Sequence, residues 1–214
     1  MSKAIFERSP LSRHAVRAAV AMALLGSGTA AVAGLYPAAA PPGSAFIRVF
    51  NATSQPKVTA QVGSKDLGST AAMEASSYQF LPPGQYTVKI GGASQGAQLQ
   101  GSHCYTAVLE SSKQVQLFDQ PCFNSQLKAL VAVYNMIDGS TLSLRTSDGQ
   151  TVIDKVAANA SGEREVNPVK ASLAVYDGSA KLADAKPVML SRGSTYSLFV
   201  TGTRSSPVLI WISG

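Results

Sequence analysis

The sequence predicts an all-β protein: two tandem immunoglobulin-like antiparallel β-sandwich domains that follow a cleaved signal peptide. Three observations carry this expectation. Past Ser44 no helical apolar period recurs. Short β-rich runs recur instead, each bounded by Gly, Pro, Asn, Asp or Ser. The runs also fall into two series of matching order, each of roughly 80–90 residues, near the size of a small immunoglobulin-like domain.

The order of elements begins with a leader. Lys3, Arg8, Arg13 and Arg17 form a basic start, residues 18–25 are apolar, and Ala31-Val32-Ala33 supplies a small-x-small cleavage pattern. Residues 1–33 are therefore expected to be a signal peptide, which places the working chain in the periplasm. A flexible arm, residues 34–43, follows, and its proline and alanine content cannot pack a core. On it Leu35, Tyr36 and Pro37 are expected to contact a partner, because amphipathic aromatics anchor interfaces.

The first sandwich is expected over residues 44–122, with strands at 45–51, 57–62, 77–80, 84–90, 104–110 and 114–119. In the first run Phe46, Arg48 and Phe50 share one face and Ile47 and Val49 the other, a buried face and a mixed one. The second sandwich is expected over residues 127–214, with strands at 129–135, 141–146, 152–156, 169–176, 186–190, 194–200 and 207–212. Phe46–Asn51 aligns with Leu130–Asn135 at an offset of 84, both ending in an aromatic residue and Asn. Tyr105–Leu109 aligns with Tyr196–Val200 at an offset of 91, so loop lengths drift by seven between the copies. The joint falls near Pro121–Gln126.

Two cysteines sit in the first copy. A hairpin centred on Lys113 would set Thr106 against Gln120, Val108 against Phe118 and Glu110 against Gln116, bringing Cys104 opposite Cys122 within disulfide reach. An exported compartment is oxidising. A redox pair would show Cys-x-x-Cys, and a metal site would need more ligands than one histidine past the leader supplies.

Charge and composition exclude several classes. Only 14% of residues are charged, and of the net +6 the leader holds half, leaving 14 basic and 11 acidic residues. No basic stripe suits nucleic acid, no later run approaches the roughly 20 apolar residues of a span, and 45% hydrophobic content argues against disorder. Catalysis lacks parts. His103 is the sole histidine past the leader, Gly-x-Ser-x-Gly is absent, and no phosphate loop occurs. Glu163 and Glu165 flank Arg164 in an expected loop between Gly162 and Asn167-Pro168. That acid–base–acid turn reads as a partner contact rather than as the carboxylate pair of a glycosidase. No catalytic residue, cofactor or metal is expected, and function falls to surfaces.

Longer blocks carry a family resemblance. Gly34-Leu35-Tyr36-Pro37, then Pro42-Gly43-Ser44 leading into Phe46–Asn51, resembles the mature start of the alginate biosynthesis family AlgF. Phe80-Leu81-Pro82-Pro83-Gly84-Gln85-Tyr86 is similar too, and the most specific block is Gly162–Lys170 continuing to Leu173–Gly178. The resemblance implies a periplasmic protein required for O-acetylation of alginate, a polymer of mannuronate and guluronate. Its implied partners are a membrane-bound O-acyltransferase and periplasmic esterase-like acetyltransferases. The expected role is a non-catalytic adaptor between them. The alternative is a polysaccharide-binding module touching alginate, for which Trp211 in the last strand is the one tryptophan available. An acetyl carrier is a third idea, and no residue spacing nominates its nucleophile.

Overall fold

The structure, a computed structural model, describes residues 40–214. The expected signal peptide and the expected contact residues Leu35, Tyr36 and Pro37 lie outside the described residues. The described chain holds eighteen β-strands and no helix.

The first copy contains β1 (Ala45–Asn51), β2 (Lys57–Val62), β3 (Lys65–Ala71), β4 (Gln79–Leu81), β5 (Gly84–Ile90), β6 (Ala93–Leu99), β7 (His103–Leu109) and β8 (Val115–Pro121). The second contains β9 (Ala129–Asn135), β10 (Thr141–Thr146), β11 (Thr151–Ala157), β12 (Ala160–Val166), β13 (Lys170–Ala171), β14 (Leu173–Asp177), β15 (Ala180–Asp184), β16 (Val188–Met189), β17 (Thr195–Thr203) and β18 (Ser206–Ser213). Sheet order shows the duplication directly. The first copy packs β4-β1-β7-β8 on β3-β2-β5-β6, and the second packs β12-β9-β17-β18 on β11-β10-β14-β15.

The pairings repeat in register. Ile47 of β1 sits beside Tyr105 of β7 in a parallel pair, and Val131 of β9 sits beside Tyr196 of β17. These are the positions that the offsets of 84 and 91 equate. The Tyr105 hydroxyl accepts from the Gln100 N–H at 2.8 Å, and the Tyr196 hydroxyl from the Ser191 N–H at 3.0 Å. Each bond reaches back five residues, the form of a tyrosine corner. Asn51 and Asn135 are both fully buried. Asn51 accepts from the N–H of Thr53, and Asn135 from that of Ile137, each two residues on. The drift between copies follows from loops: the connection from β15 to β17 is longer than that from β6 to β7 and carries β16.

Each sandwich has its own core. Ile47, Val49, Val88, Ile90 and Leu109 are among the residues filling the first, and Val131, Leu142, Leu144, Val175 and Leu198 among those filling the second. Burial of such side chains contributes roughly 1.5–3 kcal/mol each before entropy is counted. Trp211 packs against the second core, and its indole N–H donates to the Lys186 carbonyl at 3.0 Å.

Several expectations need correction. The Cys104–Cys122 disulfide is present, but the hairpin register differs from that expected. Thr106 faces Phe118, Val108 faces Gln116, and Cys104 faces Gln120, so the bridge runs diagonally between the strands. Lys113 has a φ of 63° and its N–H bonds to the Glu110 carbonyl. A three-residue loop closed by a left-handed residue is therefore centred on Ser112 instead of Lys113. The segment holding Glu163, Arg164 and Glu165 is no loop. It is β12, an edge strand paired to β9.

Candidate functional site

The acid–base–acid segment owes its geometry to strand alternation. In β12 the even positions face the second core: a Cβ on Gly162 would lie 2.8 Å from the Val156 side chain. Arg164 follows Gly162 on that side and donates to the carbonyls of Thr151 and Val152 at 3.2 and 3.0 Å. It thereby caps the open edge of β11, which otherwise presents unpaired backbone groups. Glu163 and Glu165 face the other way, opposite Ala132 and Leu130.

That other side holds a cleft of about 270 Å³ lined by Pro121, Cys122, Phe123, Leu130 and the Glu163–Glu165 segment. Its floor is β12 and its lip is the connection between the sandwiches. The Ser44 carbonyl accepts from the Ser102 N–H, and the Ser102 carbonyl accepts from the Cys122 N–H. The described root of the arm thus shares this end of the first sandwich. The structure therefore joins two of the sequence-derived features, the cysteine pair and the acidic segment, at one place.

Desolvation, and after it the Glu165 charge, push the Glu163 carboxyl above the ordinary glutamate range. A carboxyl raised on folding favours the folded state only while protonated, so its penalty appears as pH rises through the raised value. Glu163→Gln is expected to raise the melting temperature at neutral pH and to change nothing at pH below the ordinary carboxylate range. Melting curves of both proteins across pH test this, and an offset independent of pH would assign the effect to packing.

Above the cleft lies a seam that the sequence reading missed. Outer faces of the two central sheets meet there through Phe50, Val108, Phe118, Ala132, Tyr134 and Phe199. Phe199 stacks on Phe50 with centroids 3.9 Å apart and on Tyr134 at 4.5 Å, while Phe118 meets Tyr134 edge-on at 5.1 Å. Such pairs contribute about 0.5–1.5 kcal/mol each beyond area burial. Arg48 crosses this seam at 2% exposure. Its Nε donates to Thr106 Oγ1 at 3.1 Å and a terminal nitrogen donates to Ser197 Oγ at 2.7 Å, so one side chain bonds both copies. The Tyr78 ring covers it at 4.8 Å. Burial pushes the Tyr78 phenol up, with the Arg48 charge opposing. The signal available for this seam lay in the first strand of the second copy, where residues 129–134 are apolar on both faces.

His103 pairs with Asp119, Nδ1 to Oδ1 at 2.7 Å, at the partly exposed rim of the first sandwich. The pairing resembles the base and orienting acid of a triad. Among the described residues no hydroxyl hydrogen bond reaches its other ring nitrogen. No group of three or more His, Cys, Asp or Glu suited to a metal occurs among the described residues.

Fold and site together define a tandem β-sandwich protein whose polar features are an acidic edge strand, a linker cleft and an arginine-bolted seam. Comparison with known proteins places it further. The chain belongs to the AlgF family, whose model, described as alginate O-acetyl transferase AlgF, matches residues 19–197. It is 47% identical over 181 residues to the alginate biosynthesis protein AlgF of Pseudomonas fluorescens, covering 84% of this chain and 82% of that one. Among solved structures it matches the C-terminal domain of AlgF from P. aeruginosa at 46% identity and TM-score 0.38, covering 41% of this chain and 99% of that one. It also matches the N-terminal domain of the same protein at 34% identity and TM-score 0.36, covering 39% and 100%.

Proposed function

We propose that this protein serves the O-acetylation of alginate in the periplasm as a non-catalytic adaptor. It would hold a membrane-bound O-acyltransferase, the source of acetyl groups, near periplasmic esterase-like acetyltransferases that pass them to the polymer. The family description and the relatives' names support the acetylation role. The observation that favours an adaptor is the cleft: an acidic edge strand and the inter-sandwich connection line it together, on a body whose two halves are fixed by the seam. Holding a donor and an acceptor enzyme in one place acts through proximity, which can replace a large part of a bimolecular barrier. Glu163 and Glu165 project toward the opening and are suited to a basic partner surface; Leu35, Tyr36 and Pro37 are proposed as a second contact.

Cells lacking the protein are expected to make polymer of normal length carrying little or no acetate. Purified protein should capture the acetylation components, and Glu163→Lys with Glu165→Lys should weaken that capture at least tenfold, since like-charge juxtaposition at an interface costs several kcal/mol. His103→Ala should leave acetylation near normal. Turnover of an acetyl ester by the purified protein alone, abolished by His103→Ala, would overturn the adaptor reading in favour of an enzyme.

A further inference from the structure

A sheet edge exposes a row of backbone N–H and C=O groups, and folded proteins blunt such rows with charge, proline, bulges or brevity. Most edges of the four-stranded sheets here are blunted. Charged side chains stand in β3, β8, β11, β12 and β15. β4 has three residues, and β6 holds Gly96 among exposed polar side chains. β18 is the exception. It forms the edge of its sheet beyond β17. Its eight residues, Ser-Pro-Val-Leu-Ile-Trp-Ile-Ser, carry no charge. It pairs with β17 along its whole length without a bulge, and its Val208 stands out into solvent at 42% exposure.

The register shows which backbone groups of β18 lie open. Thr195 and Gly214 exchange N–H···O bonds in both directions. Antiparallel pairs alternate between bonded and non-bonded residues, so Ile212, Ile210 and Val208 bond to Ser197, Phe199 and Thr201. Leu209, Trp211 and Ser213 therefore direct their N–H and C=O groups away from β17. Among the described residues no other backbone bonds to them. Side chains fix the strand from both faces: Leu209 and Trp211 pack on the second core, and Ile210 and Ile212 on the seam. The open row is thus a rigid template.

This pattern selects its occupant. Only an extended strand presents backbone groups at the matching spacing. That strand would lie beside Ile210 and Ile212 on one face and beside Leu209 and Trp211 on the other, so it must be apolar on both faces. Among the described edge strands β18 alone meets this condition. Two copies of it, run antiparallel about a twofold axis at Trp211, satisfy each other. Trp211 meets its own counterpart, and Leu209 of each copy meets Ser213 of the other. Three N–H and three C=O groups on each copy then pair, which makes six bonds. Between them Ile210 meets Ile212 as close non-bonded pairs, a β-branched contact that sheets favour. No like charges come together, because the strand carries none.

We propose that β18 is a self-association edge, at which two copies of this chain join into one continuous sheet of eight strands, four from each. The contact uses the same edge on both copies, so assembly closes at a dimer. The inference rests on strand geometry and is independent of the acetylation reading.

Sedimentation of the full chain over a range of concentrations tests it, together with amide exchange along β18. Wild type is expected to pass from monomer to dimer as concentration rises, and the amides of Leu209 and Trp211 to become protected over the same range. S213P removes one N–H per copy, two of the six bonds, and should weaken the dimer about tenfold or more. S213K keeps the N–H and sets a charge beside Leu209 of the second copy, which should also weaken it. Ser213 is exposed, and proline is tolerated on an edge whose N–H faces solvent. Both variants should therefore melt as wild type does. They share residues 1–39 with wild type, so association through those residues would be untouched by either substitution. A monomer at every concentration, with Leu209 and Trp211 unprotected, would overturn the proposal and leave the edge to a strand of another protein. A dimer that both folded variants retain at wild-type affinity would overturn it by placing the contact elsewhere. Protection of the two amides independent of concentration would overturn it too, since the chain would then cover this edge itself.

Discussion

Phe199→Ala is expected to cost the protein about 3–5 kcal/mol, the range for truncating a large buried ring, and to divide one unfolding transition into two. The ring is fully buried between Phe50 on one copy and Tyr134 on its own. Its neighbours are held by separate strands, so they cannot close the space that truncation leaves. The lost area, the lost stacking and the residual cavity therefore add. The effect falls where the copies meet, while each sandwich keeps a core of its own. Calorimetry should show one peak for wild type and two for the variant. A single transition, with a loss under about 1 kcal/mol and thus no more than a typical substitution, would mean the seam does not couple the halves.

Replacing Cys104 and Cys122 together by serine is expected to cost about 3 kcal/mol, as the chain-entropy treatment gives for a loop of this size; the two lie 18 residues apart. The bond ties the start of β7 to the connection between the sandwiches. Its loss should therefore act twice, once on the unfolded chain and once on the order of residues 122–126. Thermal melting measures the first effect. Limited proteolysis of the folded variant measures the second, with cleavage expected between Phe123 and Gln126. Titration of denatured, unreduced wild type should find no free thiol, and two reactive thiols would end the idea.

The parts of the fold that could be read in advance are the apolar runs of the central strands. The runs at β1, β7, β9 and β17 combine β-branched and aromatic residues, and their offsets mark the duplication in the sequence. The strands β3, β6, β12 and β15 escaped notice because few of their side chains are buried. Lys65–Ala71 and Ala160–Val166 each bury too few side chains to leave an apolar period. The acid–base–acid segment looked like a loop for the same reason: Arg164 faces a backbone edge rather than a core. The hairpin register was missed through one residue, Lys113, whose left-handed backbone is uncommon for lysine. The Arg48 seam was hidden because an arginine between two phenylalanines suggests a half-wet face. Only a second sheet carrying hydroxyls at the right height makes that face dry.

The seam is built from the same positions of each copy. Phe50 and Tyr134 correspond, as do Val108 and Phe199, and Thr106 and Ser197, when the parallel pairs are superposed. A one-sandwich ancestor bearing this face would have met a second molecule of itself about a twofold axis, and fusion of two genes would have turned that homodimer into one chain. Arg48 breaks the symmetry, since its counterpart is Ala132. In a homodimer two such arginines would crowd each other across the axis. After fusion one copy could keep the cation while the other shrank to make room. In a covalent dimer of this kind the halves are free to differ, as Arg48 and Ala132 do.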